Sequence, residues 1–159
     1  MILSASGWRK VFAASGDEQD KNPEITETDR SIAVIAADVF FDYISKTSGQ
    51  ECPVIALGID TRPTGPAIAD AMIHSLIKKG AIIQYSAVTS APEIMAYSKK
   101  LDGFIYISAS HNPVGHNGHN NLPTFQLHCH VHQFLYNLYA DRIHLVQELH
   151  KEFPLEKHD

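Results

Sequence analysis

Between Ser31 and Ser48, apolar side chains fall at Ile32, Ile35, Ala36, Val39, Phe40, Tyr43 and Ile44. That three-and-four spacing lines one face of a helix, so a helix is predicted over 31–48, with Thr28 or Asp29 able to cap its start and Gly49 closing it. The stretch before it, Gly16 to Asp29, is polar and acidic with Pro23 in the middle, and reads as a surface loop. Pro53 to Ile59 (PVIALGI) is a continuous apolar run, too short for a typical helix and suited to a strand buried on both faces. Pro66 stands where the next helix begins, since a missing N–H costs nothing in a first turn. That helix is predicted to run to about Lys79 through Ile68, Met72, Ile73, Leu76 and Ile77; Lys78 and Lys79 suit its negative end and Gly80 stops it. Ala81 to Ser86 reads as a second apolar strand, Pro92 to Lys100 as a short helix, and Phe104 to Ile107 as a third strand.

Strands separated by helices predict an α/β fold with a parallel or mostly parallel sheet covered on both sides. Ligands of such sheets bind at the loops leaving the carboxyl ends of the strands. Two polar loops leave those ends here: Gly58-Ile59-Asp60-Thr61-Arg62 and Ser108-Ala109-Ser110-His111-Asn112-Pro113. After Gly118 the character changes. His119, His128, His130, His132, His144, His150 and His158 make seven of the ten histidines. Phe125, Leu127, Cys129 and Val131 alternate with polar residues at a strand-like period, and 134–153 has the pattern of a weakly amphipathic helix.

Composition narrows the function classes. A chain of 159 residues with 44% hydrophobic and 19% charged residues is ordinary for one globular domain. The net charge of −5 argues against a nucleic-acid or anionic-membrane partner, although a local cluster of N–H groups and Arg can still bind phosphate. No apolar run is long enough to span a membrane, and the opening MILSASGWRK lacks the features of a secretory signal. With Cys52 and Cys129 as the two cysteines and no CxxC pair, a reducing cytoplasm is the expected setting.

The loop after the third strand carries the chemistry. Pro113 biases Asn112 away from helical geometry, and Gly115 and Gly118 add backbone freedom, so the chain turns away irregularly and can expose the Ser110 hydroxyl among N–H groups. The adjacent Ser110–His111 pair is not a hydrolase signature, because neighbouring residues do not normally form the nucleophile–base hydrogen bond and the GxSxG elbow is absent. Phosphoryl transfer asks mainly for positioning and neutralised charge. The stretch ISASHNPVGHNG resembles the phosphoserine loop of the α-D-phosphohexomutases, the phosphoglucomutase/phosphomannomutase family, usually written T-[AG]-S-H-N-P. Ser6-Gly7-Trp8-Arg9-Lys10 resembles that family's [TS]-[SD]-G-x-R segment, and Gly58-Ile59-Asp60-Thr61-Arg62 its G-x-D-x-R; Thr89-Ser90-Ala91-Pro92 also resembles the linker before the phosphoserine strand.

The resemblance implies a three-layer α/β/α sandwich over 1–118, the family's first domain, followed by a divergent His-rich tail over 119–159. It implies an intramolecular phosphotransferase: a phosphoserine at Ser110 gives its phosphoryl group to a hexose phosphate, and the resulting hexose bisphosphate returns the other one. Ser110, His111 and Arg9 would be catalytic; Ser6, Asn112, Lys10 and Arg62 would bind substrate or phosphate, with a loop-stabilising ion pair as the other reading of Asp60 and Arg62. Mg²⁺ would sit on the Ser110 phosphate.

Two departures stand out. Asn120 occupies the position of the family's lysine and has no ammonium charge. No D-x-D-x-D segment, the family's metal loop, occurs in the chain. A truncated product, frameshifted just after Gly118 and with little or no turnover alone, is therefore expected. The rival readings are a non-catalytic remnant that binds a partner or phosphosugar, and a metal-binding module built on His128, Cys129, His130 and His132. Against the latter, Cys129 alternates to the opposite strand face and no second ligand pair stands at zinc spacing.

Overall fold

The computed structural model describes residues 2–4 and 7–123. The strand-like and helix-like patterns noted over 125–131 and 134–153, and Ser6, lie outside them. The described residues all belong to one compact unit, 1–126.

The first helix, α1 (Glu27–Ser48), begins earlier than its apolar periodicity suggests. Its cap is Thr26, not Thr28 or Asp29: the Thr26 hydroxyl accepts the Asp29 N–H at 3.1 Å, satisfying one of the donors a helix start leaves open. Gly49 closes the helix in the left-handed conformation at φ 69°, as its sequence position predicted. Next come β3 (Val54–Ile59), α2 (Gly65–Lys78), β4 (Ile82–Val88), α3 (Ala91–Tyr97) with a 3₁₀ turn at Ser98–Lys100, and β5 (Gly103–Ile107). In α3 a capping box joins Ser90 and Glu93, whose carboxyl is held below its usual range by the Thr89 hydroxyl and the Ser90 N–H.

Three further strands complete the sheet: β1 (Ile2–Ser4), β2 (Gly7–Val11) and β6 (His116–Pro123). The order is β1-β2-β6-β5-β3-β4. β3 pairs in parallel with β4 and β5, whereas β5–β6, β6–β2 and β2–β1 are antiparallel. The sheet is thus mixed, with the parallel part where the alternating strand–helix pattern predicted it. β6 runs across Gly118, the expected end of the domain.

Alternation along β3 and β5 assigns the layers. Ile55, Leu57, Ile59, Ile105 and Ile107, none more than 3% exposed, face α1 and α2. A Cβ on Gly103 would lie 3.0 Å from both Phe40 and Ile44 of α1, so β5 starts close against that helix. Ala56, Phe104 and Tyr106 form the opposite face and pack on Ile94 of α3. α1 and α2 are also tied side chain to side chain, Lys79 to Asp42 at 2.8 Å and Ser75 to Asp38. β4 lies at the sheet's edge, and Ile82, Tyr85 and Val88 are exposed there.

Candidate active site

The carboxyl ends of β3 and β5 meet at one place. The Asp60 N–H donates to the Ile107 carbonyl at 3.0 Å, which brings the loop after β3 against the loop after β5. Ser110 stands exposed in that second loop. Its φ is +54°, a left-handed conformation that costs a non-glycine residue on the order of 1 kcal/mol and persists where surrounding contacts hold it. Those contacts are present. The Ser110 N–H donates to the Ser108 hydroxyl at 3.1 Å, and the Asn112 N–H to the Ala109 carbonyl at 3.1 Å. The Ser110 hydroxyl oxygen lies 3.4 Å from His111 Nδ1, longer than a well-formed O–H···N bond but within reach of rotamer adjustment.

Arg62 holds this loop. Its side chain is 11% exposed and it has five N–H donors. Nε donates to Asp60 Oδ2 at 3.1 Å. Nη2 donates to the carbonyls of Ser110 and Asn112 at 2.8 and 2.7 Å; Nη1 donates to those of Pro113 and, at 3.2 Å, His116. All five donors are therefore engaged by the protein. Of the two readings of Asp60 and Arg62, the geometry is that of the loop-stabilising pair. Asp60 is committed as well, its Oδ1 accepting the Arg62 N–H at 3.0 Å.

A second grip comes from the other side. Gly115 donates to the Glu18 carbonyl at 2.8 Å, and its own carbonyl accepts from Phe12 at 2.9 Å and Ala13 at 3.3 Å. A Cβ there would lie 2.5 Å from the Asp17 carbonyl oxygen, so the close approach requires glycine. The acidic 16–29 stretch is ordered by successive side-chain turns: Asp17, Asp20 and Asn22 each accept the N–H two residues on. Below the loop, the fully buried Asn117 donates to the Thr64 hydroxyl at 3.1 Å and accepts the Gly118 N–H at 3.0 Å, tying β6 to the start of α2. Thr64 escaped the sequence reading, which took Gly115 only as a source of backbone freedom and Asn117 only as part of a motif. The asparagine and glycines of VGHNG were visible there, but not their partners.

The other expected site residues divide. Arg9 lies in β2 level with Ser108, since Arg9 is paired with Gly118 and the Ser108 N–H donates to the Gly118 carbonyl at 3.0 Å. Lys10, expected at a phosphate, is instead bonded to Asp29, a carboxylate 4% exposed in the first turn of α1, with its ammonium 5.2 Å from the Phe12 ring centre. A buried carboxylate needs such a partner. Asn112 contributes its backbone to the loop. Beside Asp60, the Tyr106 hydroxyl donates to the Thr89 carbonyl at 3.1 Å, and burial followed by the Asp60 charge pushes its ionisation up, against a smaller opposing effect of Ser108.

The scaffold thus presents a strained, exposed serine at a strand's carboxyl end, on a loop fixed from two sides. The family model for phosphoglucomutase/phosphomannomutase, alpha/beta/alpha domain I, matches residues 5–127. The chain belongs to that family.

The match continues past Gly118, where the motif resemblance was expected to stop. A phosphoglucomutase/phosphomannomutase of Thermococcus kodakarensis is 31% identical over 111 residues, covering 69% of this chain and 24% of that protein. A phosphoglucosamine mutase of Macrococcus caseolyticus is 32% identical over 111 residues, again 69% and 24%. The crystal structure of a putative phosphomannomutase from Thermus thermophilus shares the fold, with a TM-score of 0.58 and 18% identity over 77% of this chain and 25% of that one. The chain thus spans about a quarter of the length of these relatives.

The magnesium ion implied by the family is not accommodated by the described residues alone. No group of three or more His, Cys, Asp or Glu side chains among them is placed to hold a metal, and both oxygens of Asp60 are occupied by Arg62. Nor is any helix among them long and apolar enough to cross a membrane.

Proposed function

We propose that this chain is the phosphoserine-bearing domain of a phosphohexomutase, with Ser110 as the covalent relay for a phosphoryl group. The observation that carries the reading is the left-handed, exposed Ser110 on a loop whose backbone is over-determined by Arg62 and Gly115. Phosphoryl transfer is catalysed largely by positioning and charge stabilisation, which such a loop supplies. A hydroxyl of a hexose phosphate attacks phosphorus, the Oγ–P bond breaks as the sugar O–P bond forms, and the proton lost by the sugar hydroxyl is matched by the one gained by Oγ. The hexose bisphosphate then turns and returns its other phosphoryl group to Ser110 by the reverse exchange. His111, 3.4 Å from Oγ, is the proposed carrier of that proton. Arg9 is the proposed cation for the transferring group, and Ser6 and Asn112 the proposed substrate contacts. With Cys52 a free thiol, a cytoplasmic setting accompanies this reading.

Incubation of the chain with glucose 1,6-bisphosphate followed by peptide mass spectrometry tests it. A single phosphoryl adduct on Ser110, absent from Ser110→Ala, is expected; an unmodified Ser110 rejects the relay. One feature favours a second reading, a remnant that accepts phosphate without turnover: Asn120 stands where the family pattern has lysine. Conversion of glucose 1-phosphate to glucose 6-phosphate, abolished by Ser110→Ala, rules the remnant out.

A further inference from the structure

In a trans peptide the carbonyl and the following N–H point in opposite directions. The Ser110 carbonyl is drawn to Arg62 Nη2 at 2.8 Å, so the His111 N–H of the same peptide is turned away from the guanidinium. Four of the neighbouring loop donors are engaged: Ser110 N–H on Ser108, Asn112 N–H on Ala109, Gly115 N–H on Glu18 and His116 N–H on Pro113. Among the described residues the His111 N–H has no acceptor, and it leaves an exposed residue directly beside the exposed Ser110. A backbone donor held without a partner next to a candidate phosphoryl acceptor is an oxyanion donor in waiting.

We infer that Arg62 is a positioning residue: by clamping the Ser110 carbonyl it aims the His111 N–H at an oxygen of the phosphoryl group on Ser110. This rests on the phosphoserine reading. It differs from a charge role for Arg62. The guanidinium is paired with Asp60 and acts through its planar fork, grasping carbonyls at four positions; lysine has the same charge but three donors on a single nitrogen and cannot reproduce that grasp.

The test uses the full ¹⁵N-labelled chain, with glucose 1,6-bisphosphate as phosphoryl donor and mass spectrometry reporting occupancy of Ser110. In the wild type, phosphorylation moves the His111 amide proton downfield and slows its exchange about tenfold or more. In Arg62→Lys, folded by circular dichroism, the phosphorylation rate falls about a hundredfold, as for loss of one oxyanion donor, and the phosphate-induced shift of His111 disappears. A shift of wild-type size in phosphorylated Arg62→Lys overturns the inference and leaves the relay standing. Absence of any adduct in the wild type overturns the relay and the inference together. Should Arg62→Lys fail to fold, the wild-type spectrum still decides: a His111 amide unmoved by phosphorylation of Ser110 overturns the inference.

Discussion

β5 and β6 are neighbours in one sheet, yet they are built in opposite ways. β5 (GFIYI) is buried along its whole length between α1 on one face and α3 on the other, and its place follows from apolar surface seeking cover. β6 (HNGHNNLP) has no apolar pattern to bury. It is held by ladder bonds to β5 and β2, by the buried Asn117–Thr64 bond, and by Arg62 on the His116 carbonyl. The loop that joins them carries Ser110. One side of the candidate site therefore rests on non-directional burial and the other on directional hydrogen bonds. This arrangement suits a catalytic loop, because hydrogen bonds fix peptide orientation in a way that apolar contact does not.

The contrast can be broken at either side. The largest effect is expected from Ile105→Ala, which removes a fully buried side chain from the middle of β5 and should cost about 2–5 kcal/mol in urea unfolding. Next is Gly115→Ala. Its methyl meets the Asp17 backbone, which cannot swing aside, so a loss of about 1–3 kcal/mol is expected together with loss of Ser110 phosphorylation. Gly58→Ala in β3 is the control. Its methyl would meet Thr89 at 2.5 Å and the buried Ile94 at 2.8 Å, so it should cost about 1–3 kcal/mol as well but leave Ser110 phosphorylation intact. Loss of Ser110 phosphorylation in Gly58→Ala as well as in Gly115→Ala would erase the distinction between the halves.

The smallest effect concerns pH. Burial, reinforced by Asp60, raises the Tyr106 ionisation, so the fold favours the protonated phenol. Its stabilising contribution is present below about pH 10, the ordinary tyrosine value, and is lost as pH rises through the raised native value. Thermal melts from neutral to strongly alkaline pH should show stability falling above that point. Tyr106→Phe should flatten part of the decline, with Tyr43, whose ionisation is likewise raised by burial, also contributing to it.

What could be read in advance follows the same division. The helix over 31–48, the strand at 54–59 and the glycine stop at 49 were legible because hydrophobic periodicity and capping act over a few residues. β2 was not: GWRKV is too short to show a pattern, and the strand that ties it to the rest of the sheet lies at 116–119, more than a hundred residues away. Arg62 was legible through its G-x-D-x-R context, with a loop-stabilising pair to Asp60 among its readings, but the four carbonyls it grasps were not.

By itself, the sequence determined the α/β frame, the placement of Ser110 at the end of a buried strand, and the family to which the chain belongs, because apolar spacing and short motifs are properties of adjacent residues. Tertiary structure alone decided that Lys10 neutralises Asp29, that Arg62 gives every donor to the protein, and that β6 closes the sheet beside the loop. A polar side chain or an open backbone group has many acceptable partners, and which one it takes depends on what the folded chain brings within hydrogen-bonding distance.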